Sequence, residues 1–111
     1  MSRLIINNFN EFAQHIGQEL GVSDYLTITQ EQIDLFADAT LDHQWIHVDT
    51  ERARTESPYK STIAHGYLNL SVLPYLWGQI LEVNNVKMLV NYGIETVSYT
   101  HLRAHETSQD L

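Results

Sequence analysis

The chain contains no cysteine. Disulfides, zinc–thiolate centres and thiol nucleophiles are therefore excluded. Basic residues are scarce: six Lys and Arg stand against fourteen Asp and Glu, for a net charge of −8. A protein whose main partner is nucleic acid needs a basic face, so that class is disfavoured. A small anionic substrate remains compatible, because a local basic patch can hold it. No apolar run approaches the roughly 20 residues of a spanning helix, and the opening MSRLIINNFNEF lacks the apolar core of a signal peptide. No internal repeat or low-complexity linker interrupts the chain. These absences lead us to expect a cytoplasmic protein with no membrane partner.

What is present suffices for a core. A hydrophobic fraction of 43% over 111 residues suits one small folded domain rather than a disordered chain. Phe9, Phe12, Ala13 and Ile16 recur at helical spacing, with Asn8 and Glu11 as a capping pair, and a helix is expected to end near Gly17 or Gly21. Tyr25 to Thr29 favours a strand. Thr29 and Gln32 then resemble a capping box that opens a helix with Ile33, Phe36 and Ala37 on its inner face. Leu41 to Val48 has no period of its own and reads as a loop. Asp49 can cap a polar helix through Glu51, Arg52 and Arg54, which Ser57-Pro58 should end. From Gly66 to Leu81 apolar residues cover most of a helical circumference, so a helix there should be buried on most sides, with Pro74 bending or breaking it. Asn84-Asn85 reads as a turn and Val86 to Tyr92 as a strand.

Chemistry concentrates between Phe36 and Pro74. Asp42 and His47 are a carboxylate and an imidazole five residues apart, a spacing that misaligns on a helix but suits a loop that folds back. Such a pair can activate a water and deliver its proton. It can equally be a turn cap beside a packing histidine, and spacing alone does not choose. Gly66, after His65, opens the apolar helix, where a ligand can approach backbone N–H groups that favour developing negative charge. A plain helix start reads the same way. Ser71, one turn beyond Tyr67, can orient a carboxylate or bond back to a carbonyl. His43 and His65 with Asp42 and His47 raise the question of metal, but they lack a ligand spacing such as H-E-x-x-H, and no metal is expected. Arg52, Arg54 and Lys60 can meet a phosphate-bearing substrate or simply be solvated.

At FADATLDHQWIHVD, followed by SPYKSTIAHGYLNLSVLP, the chain resembles the MaoC-like dehydratases, the (R)-specific enoyl-CoA hydratase family. It is most similar to the branch with nodulation protein N-like members. The likeness runs from about Gly17 to Thr96, and VNYGIETV resembles the strand that follows the central helix. The resemblance implies an α+β hotdog fold, an antiparallel sheet wrapped around a long helix, paired into homodimers and needing no cofactor. It implies an acyl-CoA substrate, with Asp42 and His47 adding water to a trans-2-enoyl thioester. Gly66 would offer its N–H to the thioester carbonyl, and Ser71 would support Asp42. A hotdog acyl-CoA thioesterase and a non-catalytic acyl-thioester-binding domain are the alternatives. Three positions depart from the family: Leu41 stands where glycine commonly precedes the Asp, and Tyr59-Lys60 replaces a more usual Phe-Gly.

The end of the chain reads differently. Val97 to Thr107, VSYTHLRAHET, resembles a translated sequencing-adapter fragment. We therefore expect 1–96 to be a partial hotdog domain and 97–111 a non-native tail. The family continues through further strands, so the chain as written is expected to expose apolar surface and to aggregate.

Overall fold

A computed structural model describes residues 3–97 and the backbone of a strand at 106–107. The expected non-native tail lies outside the described residues apart from Val97 and that strand. Contacts gather the described chain into two units, one of Tyr25–Val72 with 106–107 and one of 3–24 with 73–97.

In the first unit, β2 (Leu26–Thr27) is shorter than the expected strand and pairs antiparallel with β4 (Glu106–Thr107), Leu26 opposite Thr107. Helix α2 (Gln30–Thr40) opens with the capping box that the sequence suggests. Thr29 Oγ1 accepts from Gln32 N–H at 3.2 Å, and Gln32 Oε1 accepts from Thr29 N–H at 2.9 Å, so two donors without intrahelical partners are satisfied. Its inner face is as expected, with Ile33 and Ala37 fully buried and Phe36 packed beside them. Ile28, Ile33, Ala64 and Leu68 form the core of this unit. The helix ends at Leu41, whose φ of 65° turns the chain into the left-handed region.

The segment expected as a loop contains one helical turn, α3 (Trp45–Val48), closed by Asp49 N–H donating to Trp45 C=O at 2.9 Å. Four residues are too few to display a hydrophobic period, so pattern could not reveal them. Asp49 then caps α4 (Thr50–Glu56), its carboxylate accepting from Arg52 N–H at 3.0 Å. Ser57 leaves the helix with ψ 138°, as the proline that follows requires.

Gly66 to Ile80 is not one continuous helix. α5 (Gly66–Ser71) closes the first unit and α6 (Leu73–Ile80) belongs to the second. Pro74 explains the interruption. In a continuous helix its ring would strike the Leu70 carbonyl, whereas in the first turn of α6 its missing N–H has no partner to lose. Nor is this stretch buried on most sides: α5 buries Leu68 and Asn69, α6 buries Leu76 and Ile80, and Tyr67 and Tyr75 stay exposed.

The second unit joins β1 (Leu4–Ile6) to β3 (Leu81–Val83) in parallel, Leu4 opposite Leu81. Leu81, expected at the end of a helix, is therefore in a strand. α1 (Phe9–Ala13) is capped by Asn8, whose side chain accepts from Glu11 N–H at 2.9 Å. The Glu11 carboxylate reaches past the cap to Asn7 N–H at 2.7 Å, a capping box displaced by one residue. Gly17, at φ 81°, closes the turn after the helix. Ile6, Leu76, Ile80 and Leu81 are buried here, and a Cβ at Gly21 would lie 2.9 Å from Ile80 Cγ2. Asn85, at φ 59°, turns the chain as the sequence suggests, but Val86 to Tyr92 is irregular and exposed rather than a strand. Strand geometry needs a neighbour to take up its N–H and C=O groups, and among the described residues none pairs with it.

Candidate active site

The candidate residues lie in the first unit, on the turn from α2 to α3 and at the start of α5. Asp42 follows the left-handed Leu41, and its exposed carboxylate accepts a long hydrogen bond of 3.4 Å from Gln44 N–H. His47, on α3, is only 9% exposed. Its Nδ1 lies 2.9 Å from Ile63 C=O. A carbonyl only accepts, so this nitrogen carries the proton and Nε2 keeps its lone pair in the neutral ring. That is the state of a proton acceptor.

Three further bonds brace the turn that carries His47. Gln30, in the first turn of α2, donates to His47 C=O at 2.8 Å and accepts from Thr62 Oγ1 at 2.6 Å. Ile63 N–H donates to Ile46 C=O at 3.1 Å. The chain before α5 is thus tied to α3 from both its backbone and its side chains.

His65, at the N-cap of α5, completes the arrangement. It is 3% exposed and stacks on His47, with ring centroids 3.9 Å apart and planes inclined by 26°. Phe36 packs against it at 4.9 Å. His65 Nε2 lies 3.0 Å from Asp42 C=O and is therefore its donor, which leaves Nδ1 buried without a partner. One potential ligand atom from each of Asp42, His47 and His65 lies within 4.8 Å of the others. Donor chemistry alone would suit a divalent transition metal. The stacking does not: imidazole lone pairs lie in the ring planes, and near-parallel stacked rings do not aim them at one ion.

The structure therefore brings Asp42 and His47 together, with Gly66 directly after the His65 that bridges them. Gly66 is not among the residues with positive φ, so backbone conformation does not demand glycine there. Ser71 bonds locally, its hydroxyl donating to Tyr67 C=O at 2.6 Å. His43 stays apart, paired with Asp38 at 2.9 Å on the surface. Arg52 stacks over Trp45 at 4.3 Å and pairs with Glu56, while Arg54 pairs with Glu51. Sequence reasoning missed Gln30, Thr62 and the bridging role of His65. Only their polarity within apolar surroundings marked them, and no local spacing links them to Asp42 or His47.

The described site is an Asp–His pair ahead of an apolar helix, on an α+β scaffold with few strands, an arrangement that is chemically able to move a proton. The family model described as "MaoC like domain" matches residues 11–103, and the chain belongs to that family. MaoC domains have the hotdog fold, and the described residues carry an incomplete version of it. The chain is 51% identical over 89 residues to 3-hydroxyacyl-thioester dehydratase Z of Mycobacterium tuberculosis, which covers 80% of this chain and 58% of that protein. It is 51% identical over 85 residues to nodulation protein N of Rhizobium leguminosarum bv. viciae, covering 76% and 53% respectively. Nodulation protein N of Rhizobium meliloti is 43% identical over 93 residues, covering 83% and 58%. The chain thus spans somewhat over half the length of these curated relatives. No described helix is long and apolar enough to cross a membrane.

Proposed function

We propose that this chain carries the catalytic residues of an (R)-specific hydratase of trans-2-enoyl-CoA thioesters, a lyase that also runs as a 3-hydroxyacyl-CoA dehydratase. One observation supports it above the rest: the Asp42 carboxylate lies beside a buried His47 whose Nδ1–H is committed to Ile63 C=O, leaving Nε2 to accept a proton. Asp42 orients a water, and His47 Nε2 takes one of its protons as the oxygen bonds to C3. The electron pair of the double bond moves onto the thioester oxygen, where the Gly66 N–H stabilises the charge. Return of the proton to C2 completes the addition of H and OH. No cofactor takes part in this scheme. The acyl-CoA substrate, a cytoplasmic setting and a homodimeric state belong to the same reading. Its support is family membership and the names that the relatives carry.

The test is turnover of a short trans-2-enoyl-CoA, followed by loss of enoyl-thioester absorbance and by chiral analysis of the product. It is run on this chain and on a chimera that adds the part of dehydratase Z beyond the matched residues. Asp42→Asn and His47→Ala should each lower hydration by about 10²- to 10⁴-fold with the fold retained. Activity retained in either variant would refute the assignment. Release of free CoA from a saturated acyl-CoA would identify a thioesterase instead, and binding without turnover in the chimera would identify a non-catalytic acyl-binding domain.

A further inference from the structure

Among the described residues, the side chain that joins the two proposed catalytic groups is not one of them. We infer that His65 is a positioning residue, which fixes Asp42 and His47 relative to each other through a hydrogen bond to one and a ring stack on the other; this rests on the hydratase reading. His65 Nε2–H donates to the backbone carbonyl of Asp42 at 3.0 Å. Its face lies on His47 at 3.9 Å. Asp42 needs such a restraint. It follows a left-handed leucine, its side chain is exposed, and the other bond to it among the described residues is the 3.4 Å contact from Gln44 N–H.

Packing alone does not account for a histidine here. The ring is 3% exposed and its Nδ1 has no partner, an arrangement that disfavours folding relative to an apolar ring of similar shape. Phenylalanine would fill the space between Phe36 and His47 without that penalty. What it lacks is the donor to Asp42. Because His65 immediately precedes Gly66, the same residue also sets where the carbonyl-binding N–H lies relative to the pair. Displacing reacting groups by about 1 Å lowers rates by about 10²-fold, so the effect should fall on the chemical step.

Two variants separate the donor from the ring. His65→Phe keeps the stack and loses the donor; His65→Gln keeps a donor and loses the stack. Both are measured beside wild type in the two proteins assayed for hydration, with thermal unfolding by circular dichroism as a check on folding. In H65F, kcat should fall about a hundredfold while KM stays within about twofold, the pattern of lost transition-state geometry. H65Q should recover about tenfold or more of that loss, since the donor is restored. Equal activity per folded molecule in wild type, H65F and H65Q would overturn the inference, as would H65F exceeding H65Q. Should wild type show no hydration, the hydratase reading fails on that result alone. Isotope-edited NMR of the chimera then decides the positioning role. The Asp42 carbonyl ¹³C and His47 imidazole ¹⁵N resonances should move in H65F and stay near wild type for Asp42 in H65Q; unchanged resonances in both would overturn it.

Discussion

Leu41 and Lys60 occupy the two positions where the family commonly carries glycine, and both adopt left-handed backbone, with φ of 65° and 59°. Both residues thus hold a backbone conformation that favours glycine. A side chain in that region costs about 1–2 kcal/mol through its Cβ, while glycine forfeits about 0.4–1 kcal/mol through its freer unfolded state. Exchanging alanine for glycine at position 41 should therefore stabilise by about 0.5–1 kcal/mol. At exposed Leu35, in the middle of α2, the same exchange should destabilise by about 0.8–1 kcal/mol. Leu41 is 81% exposed, so trimming it to alanine removes little packing. The measurement is urea unfolding of L41A, L41G, L35A and L35G, followed by Trp45 fluorescence in a Trp77→Phe background, because Trp45 lies in the unit that holds both positions. The sign carries the argument: glycine above alanine at 41 and below it at 35. If L41G is no more stable than L41A, Leu41 is not held in left-handed backbone, and the chain's approach to Asp42 is wrongly described. Lys60→Gly should repeat the result against Lys60→Ala.

Gln30→Leu leaves His47 C=O and the buried Thr62 hydroxyl unpartnered. It should cost about 1–3 kcal/mol, read as a lower urea midpoint at unchanged slope. An unshifted midpoint would show that the Gln30 bonds contribute nothing net. Val86, Met88, Leu89, Val90, Tyr92 and Ile94 are all more than half exposed or close to it and lie within nine residues of one another. The chain alone should therefore self-associate at micromolar concentration, and Val90→Lys with Met88→Lys should reduce its light scattering. A wild-type chain that stays monodisperse at that concentration would refute this.

What the sequence disclosed divides by distance along the chain. The Thr29–Gln32 box, the Asp49 cap and the Ser57-Pro58 stop each complete their chemistry within a few residues, so residue type and spacing sufficed to find them. The pairing of Leu4 with Leu81 leaves no local mark, and three-residue strands show no alternation to read. Val86 to Tyr92 failed in the opposite sense, because strand propensity was present while the described chain supplies no partner to realise it. The site shows the same division. Asp42 and His47, five residues apart, could be weighed together from spacing, but only the family resemblance favoured a catalytic pair over a turn cap beside a packing histidine. His65 reaches Asp42 across 23 residues, and Gln30 reaches His47 across 17 and Thr62 across 32. Two long-range bonds, His47 Nδ1 to Ile63 C=O and His65 Nε2 to Asp42 C=O, decide which nitrogen of each imidazole stays free. A histidine in a sequence has two equivalent candidates for a base; Ile63 C=O and Asp42 C=O remove one from each ring. They leave the lone pair of the neutral His47 ring on Nε2 and His65 Nδ1 without a partner. The difference we propose between the two rings thus rests on backbone carbonyls, which every residue possesses, and residue types cannot show it.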